Sequence, residues 1–220
     1  WHGIEKRYLP KFPHGYTVSE SISNEFKRLY AVNYEVIRNI PLLKDKTEDY
    51  PVTGNKKIII YQGAVNEARG LEFLVPAMKN TEAVLDIYGD GNFMEQTRAL
   101  IRVNNLQDKV FIMGKLLPSE LEKITGKAGI GVNLIENNGL NQYYSLANKF
   151  FDFIHAGIPQ VTMEYPEYEK INKEFKVALL INVLDTTTIE QEFRKLLTGE
   201  KLYKELQQNC LAARKALNWQ

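Results

Sequence analysis

The chain has a single cysteine, Cys210, among 220 residues. One thiol excludes an internal disulfide framework and a cysteine metal cluster, and fits a reducing compartment. No run of about 18 apolar residues is present, so no transmembrane helix is expected, and no signal peptide is visible at the start. Neither charge sign is in excess: 28 Lys and Arg face 27 Asp and Glu, for a net charge of +1. There is therefore no global electrostatic case for nucleic acid or an anionic membrane. The three histidines, His2, His14 and His155, are too scattered to suggest a metal site. There is no G-x-x-x-x-G-K-[ST] phosphate loop and no G-x-S-x-G nucleophile turn. Gly89-Asp90-Gly91 begins like G-x-G-x-x-G, but Met94 takes the place of the third glycine and no clear acidic residue follows some 20 positions on. That argues against a nicotinamide dinucleotide site.

What is present is a regular rhythm. Hydrophobic content of 44% and charged content of 25% are ordinary for a globular protein. The chain opens on Trp1 rather than Met and so reads as a piece of a longer or processed protein. Residues 1–15 read as irregular and 16–19 as a short strand. Ser19 is placed to cap a helix carrying Ile22, Phe26 and Leu29. Residues 34–40 read as a strand and 42–55, with Pro51 and Gly54, as a linker. Apolar runs then fall at 57–62, 83–88, 110–113, 128–134, 160–163 and 178–182. The stretches between them read as helices at 71–78, 93–104 and 118–125, and as a loop with a short helix at 164–175. Amphipathic helices follow at 187–198 and 201–217. Pro76 limits the regularity of the first of these unless it lies in the opening turn. Strand and helix alternating about every 25 residues predict an α/β fold, a Rossmann-like doubly wound parallel sheet. Such sheets bind ligands beyond the carboxyl ends of their strands.

The stretch 137–161 is where chemistry concentrates. A polar loop feeds a helix carrying Phe150, Phe151, Ile154 and His155, which stops at Gly157 with Pro159 just beyond. A helix N-terminus offers unpaired N–H groups and a positive dipole end, a place to hold phosphate. Lys149 and Asp152 lie three apart on its first turns. Spacing alone leaves two readings open: a phosphate cation with a hydroxyl-binding acid, or an ordinary solvated pair. Phe150, Phe151 and His155 read as core.

Four motifs occur in order on successive strand ends: Gly63-Ala64…Arg69-Gly70-Leu71, Gly89-Asp90-Gly91, Val110-Phe111-Ile112-Met113-Gly114, and Lys149-Phe150-Phe151-Asp152…Ala156-Gly157-Ile158-Pro159. Together they resemble the carboxyl-terminal, donor-binding domain of GT-B-fold glycosyltransferases of the family-four (group 1) type. The resemblance covers 56–220. Residues 16–41 resemble the end of that family's amino-terminal acceptor domain, and Asn218-Trp219-Gln220 resembles the N-W-E segment by which the last helix crosses back. It implies a division into a remnant acceptor domain (1–41), a linker (42–55) and a nucleotide-sugar-binding domain (56–220).

It further implies donor binding by Gly63, Arg69, Gly89, Gly91, Gly114, Ser145, Leu146, Ala147, Asn148, Lys149 and Asp152, with the backbone amides of 145–148 completing a diphosphate cradle. No catalytic residue is assigned. The implied reaction is retaining, metal-independent transfer of a sugar, of hexosyltransferase type, to a saccharide or lipid-linked acceptor in surface polysaccharide biosynthesis. The donor would be a UDP-, GDP- or other nucleotide-sugar, with no cofactor besides and no nucleic-acid partner. The implied location is cytoplasmic, on the inner face of the membrane if the missing domain makes peripheral contact there. Two positions depart from the pattern: Tyr144 stands where the family's first acid falls, and Ala64 where an arginine is usual. They keep two alternatives open, an epimerase of the same architecture and a non-catalytic binding module. The isolated chain is expected to bind donor weakly and turn over little, because such enzymes act by closing two lobes on their substrates.

Overall fold

The computed structural model describes residues 2–43 and 54–219. The chain starts with helix α1 (His2–Tyr8), strand β1 (Tyr16–Thr17), helix α2 (Glu20–Tyr30) and strand β2 (Glu35–Val36), and β1 pairs with β2 in parallel. Ser19 caps α2, its side chain accepting from the Ile22 N–H as the sequence predicts. Residues 2–8 are helical where an irregular segment is expected. No residue of α1 is buried, so no apolar periodicity announces it; the Tyr30 hydroxyl donates to Glu5 Oε2 at 2.6 Å and ties it to α2. The predicted strand at 34–40 shortens to β2. Of the predicted linker, 44–53 lie outside the described residues.

The main sheet follows. Strands β3 (Asn55–Gln62), β4 (Val84–Tyr88), β5 (Val110–Gly114), β6 (Ala128–Asn133), β7 (Gln160–Met163) and β8 (Ala178–Ile181) form six parallel strands in the order β5-β4-β3-β6-β7-β8. All six were expected within one or two residues of these bounds, because buried parallel strands read as nearly continuous apolar runs. Ile59, Ile60, Tyr61, Ile130, Val132 and Val161 have no exposure at all. Chain order runs outward in both directions from the β3/β6 pair, so the crevice lies at their carboxyl ends.

Helices α3 (Leu71–Ala77), α4 (Met94–Val103), α5 (Pro118–Thr125), α6 (Leu140–Tyr143), α7 (Asn148–Ala156), α8 (Pro166–Phe175), α9 (Thr186–Thr198) and α10 (Glu200–Ala213) connect and cover the strands. Pro76 sits inside α3, which tightens into a 3-10 turn at Met78–Asn80. Helix α8 is a full ten residues rather than a short helix in a loop. Pro166 opens it with a preset φ, and Glu167 and Glu169 favour its positive end. Helix α7 is driven into the core by Phe150, Phe151, Phe153 and Ile154, all at 1% exposure or less. Each contributes roughly 2 kcal/mol by burial, so the polar residues of the same helix are held on a fixed element.

Hydrogen bonds at both of its ends hold the amino-terminal segment against the elements that cover this sheet. Glu167, 1% exposed, accepts from the Ser21 N–H (2.9 Å) and hydroxyl (2.6 Å) and from Lys170 Nζ (3.3 Å). Burial pushes its carboxyl up, but these donors outweigh burial and hold it below the ordinary value. At the other end, the Trp219 N–H donates to the Pro41 carbonyl at 3.1 Å, and Leu42 bridges to Trp219.

Candidate donor-binding site

A cavity of about 520 Å³ opens at the carboxyl ends of β3 and β6. Gln62, Gly63 and Ala64 come from the end of β3, Arg69 from the loop before α3, Asn133 to Ile135 from β6, and 145–149 with Asp152 from the start of α7. Of the predicted residues, Gly63, Arg69, Ser145, Leu146, Ala147, Asn148, Lys149 and Asp152 therefore meet around one space.

Lys149 and Asp152 are not a solvated pair. The Lys149 side chain runs inward until Nζ lies 4.2 Å from the centre of the Tyr61 ring. There Nζ is buried and has no hydrogen-bond partner among the described residues. Burial, reinforced by the nearby Arg69 charge and only partly opposed by Asp152, pushes its pKa down to about 7. An uncompensated buried ammonium is costly. Asp152 makes no ion pair with it; Oδ2 accepts from Gln62 Nε2 at 3.0 Å. Burial pushes the Asp152 carboxyl up to about 6, against the Gln62 hydrogen bond and Lys149, with Glu122 adding a like charge.

The amide cradle is smaller than expected. The Ala147 N–H already donates to the Tyr168 hydroxyl at 3.0 Å, and the Ser145 N–H to the Gln142 carbonyl at 3.2 Å. The N–H groups of Asn148 and Lys149 remain as the open end of α7. Two cations and these amides can hold a dianion, and Asp152 can accept from hydroxyls.

The remaining glycines behave differently. Gly89 and Gly91 line an adjoining cavity of about 490 Å³ that shares Gly63, Ala64 and Leu121 with the first. Their identity has its own cause: a Cβ on Gly89 would sit 1.8 Å from the Gly63 carbonyl oxygen, and one on Gly91 2.2 Å from Asn66 Oδ1. Gly114 lines neither cavity; its carbonyl accepts from the Gly89 N–H at 2.9 Å. Tyr144 does not line the main cavity either. Its ring lies 5.3 Å from that of Tyr143, and its carbonyl accepts from the Ser19 hydroxyl. His155 is buried with Nε2 2.7 Å from the Leu217 carbonyl, a packed residue as expected.

Sequence reasoning missed Tyr61, Gln62 and Asn133, and missed Val18 and Ile22, by which the amino-terminal segment reaches the same cavity. Gln62 and Asn133 did carry a signal: each is the polar residue that ends a buried apolar run at the close of its strand.

A six-stranded doubly wound lobe with a cationic crevice at its strand-order reversal is the class these features define. The comparisons give the family: residues 44–212 match Glycosyl transferases group 1, and the chain belongs to it. Its fold is that of the GT-B glycosyltransferase lobes. It superposes on Anabaena HepE in complex with UDP and glucose with a TM-score of 0.82, at 12% identity over 99% of this chain and 62% of that one. It superposes on S. aureus TarM, in a complex that includes UDP, with a TM-score of 0.75, at 15% identity over 96% of this chain and 43% of that one. The pneumococcal O-GlcNAc transferase GtfA, in complex with UDP and GlcNAc, gives 0.73 at 16% identity, over 99% of this chain and 44% of that one. The chain thus spans about two fifths to three fifths of these neighbours' length. No curated protein matches by sequence. Among the described residues, no helix is long and apolar enough to cross a membrane.

Proposed function

We propose that this crevice binds the nucleoside diphosphate portion of a nucleotide-sugar, and that the chain is the donor lobe of a glycosyltransferase. The observation that carries the reading is Lys149 Nζ, buried without a hydrogen-bond partner among the described residues at a helix N-terminus, beside Arg69 and facing an open cavity. A diphosphate is the partner it lacks. Negative charge builds on that leaving group as its bond to the anomeric carbon breaks. Arg69 meets it bidentately, while Lys149 and the open amides of α7 complete the electrostatic stabilisation. Asp152 accepts from the ribose hydroxyls. With cations supplied by side chains, the transfer is metal-independent. We assign it as retaining transfer of a hexose to a saccharide or lipid-linked acceptor of a surface polysaccharide, on the cytoplasmic side. Residues 1–41 are the end of the acceptor domain, 42–55 the linker and 56–220 the donor domain. Catalysis then requires closure of both lobes, and this chain alone turns over little.

The test is calorimetric titration of the chain with UDP, GDP and ADP without added metal. Binding of one of them at micromolar to low-millimolar strength, lost in Arg69→Ala and Asp152→Ala, is the expected result. Binding that survives both substitutions would remove the assigned contacts.

A further inference from the structure

A neutral amide lies buried in the crevice beside the charged groups. Gln62 is 3% exposed at the last position of β3 and touches both sides of its surroundings. Thr125 Oγ1, on α5, shares its one proton between Gln62 Oε1 at 2.8 Å and the Leu121 carbonyl at 2.7 Å, and Gln62 Nε2 donates to Asp152 Oδ2 at 3.0 Å. The amide presents its N–H to Asp152, which suits a carboxylate and not a carboxylic acid. Asp152 Oδ1 has no partner among the described residues, on a side chain that lines the cavity.

We propose that Gln62 is the positioning residue for Asp152: anchored by Thr125, it holds one carboxylate oxygen and leaves the other free for the ligand. The reading of that ligand as a nucleotide rests on the function proposed above; the positioning itself does not. The need for such a residue is visible in the charges around Asp152. Glu122 faces it from α5, Lys149 precedes it and His155 follows it on α7, and Arg69 lies beyond Lys149 on the loop before α3. Val18, Ile22, Pro41 and Leu42, which reach these cavities from the amino-terminal segment, bring no charge. Burial and Glu122 favour the protonated acid, and Gln62 opposes both.

The test is a carboxyl ¹³C NMR titration of the ligand-free chain, the Asp152 signal being assigned with Asp152→Asn. It compares the wild type with Gln62→Met, a substitution of similar volume without the amide. Thr125 keeps an acceptor in that variant, because its hydroxyl also reaches the Leu121 carbonyl at 2.7 Å. The expected result is a midpoint near 6 in the wild type, raised by about 1 pH unit in Gln62→Met, the size of one charge-assisted hydrogen bond. Thr125→Val, which removes the anchor and leaves the amide in place, gives a smaller shift in the same direction and serves if Gln62→Met does not fold. An unchanged or lower midpoint overturns the proposal. A second arm titrates UDP, GDP and ADP from pH 5 to 8: the acid limb of binding moves up by the same interval in Gln62→Met. An NMR shift with no nucleotide bound by the wild type leaves the positioning standing and removes the donor reading. Nucleotide binding with no NMR shift does the reverse.

Discussion

The turns after β4 and β5 and the mouth of the β3/β6 crevice stand side by side, yet the residues that mark them are there for different reasons. Gly89 and Gly91 are fixed by the backbone of the neighbouring loop, since any Cβ there would overlap the Gly63 or the Val65 carbonyl. The fold explains them without a ligand. Lys149, Arg69 and the open end of α7 are the opposite case. The fold brings them together, leaves the Lys149 nitrogen without a hydrogen-bond partner among the described residues and holds its pKa far below the ordinary lysine value. A motif can thus contain residues that folding demands next to residues that only a ligand accounts for, and the two kinds respond to substitution in opposite ways.

The largest effect is expected in the first region. Gly89→Ala places a methyl 1.8 Å from a backbone oxygen in a left-handed conformation, φ 149°. Thermal denaturation should show a loss of about 3 kcal/mol or more. A variant that melts within a degree or two of the wild type would mean that the two loops are free to separate. In the second region the sign reverses. Lys149→Met removes a buried nitrogen that has no hydrogen-bond partner among the described residues and must charge as pH falls; it should raise the Tm of the ligand-free protein by several degrees, on the order of 2 kcal/mol, while abolishing nucleotide binding. A lowered Tm would show that Lys149 is structural.

The pH dependence sharpens the contrast. The folded-state pKa of Lys149 is depressed from 10.5 to about 7. Its contribution to stability is therefore fully present above the unfolded value and is lost as pH falls toward 7. The Tm advantage of Lys149→Met should grow from pH 9 to pH 7 in parallel melts; a constant difference would place Nζ in solvent. Asp152 runs the other way. With its pKa raised from 3.8 to about 6, the stability it contributes at low pH is lost as pH rises through that interval. The smallest effect belongs to the spent amide. Tyr168→Phe leaves the Ala147 N–H without its acceptor and should cost about 1 kcal/mol in denaturant unfolding, with nucleotide affinity changed less than threefold. A larger loss of affinity would bring the Tyr168 hydroxyl into the ligand site.

Much of the fold was legible because its strands are buried on both faces. The isoleucine run of β3 and the AGIGVN of β6 identify themselves by composition, and Gly157 and Pro159 mark the end of α7. What stayed hidden lacks such a signal. Helix α1 buries nothing, and α6 is one turn inside a polar loop. The candidate site was legible as a set of residues but not as a set of energies. Spacing brought Lys149 and Asp152 forward and could not say that the lysine turns inward over Tyr61, which arrives from a strand 88 positions earlier. Gln62 was read as the end of a strand, because its role depends on Thr125 and Asp152 meeting it from two helices distant in sequence. The engaged amides at Ser145 and Ala147 were equally out of reach, since one of their acceptors is a tyrosine on α8.

The most direct measurement is a calorimetric titration of UDP, GDP and ADP into the wild type and Lys149→Met at pH 7.5. One nucleotide should bind the wild type, and Lys149→Met, folded and more stable, should bind none at the same concentrations. Equal binding by both proteins would contradict this, because the buried ammonium would then be no part of the anion site.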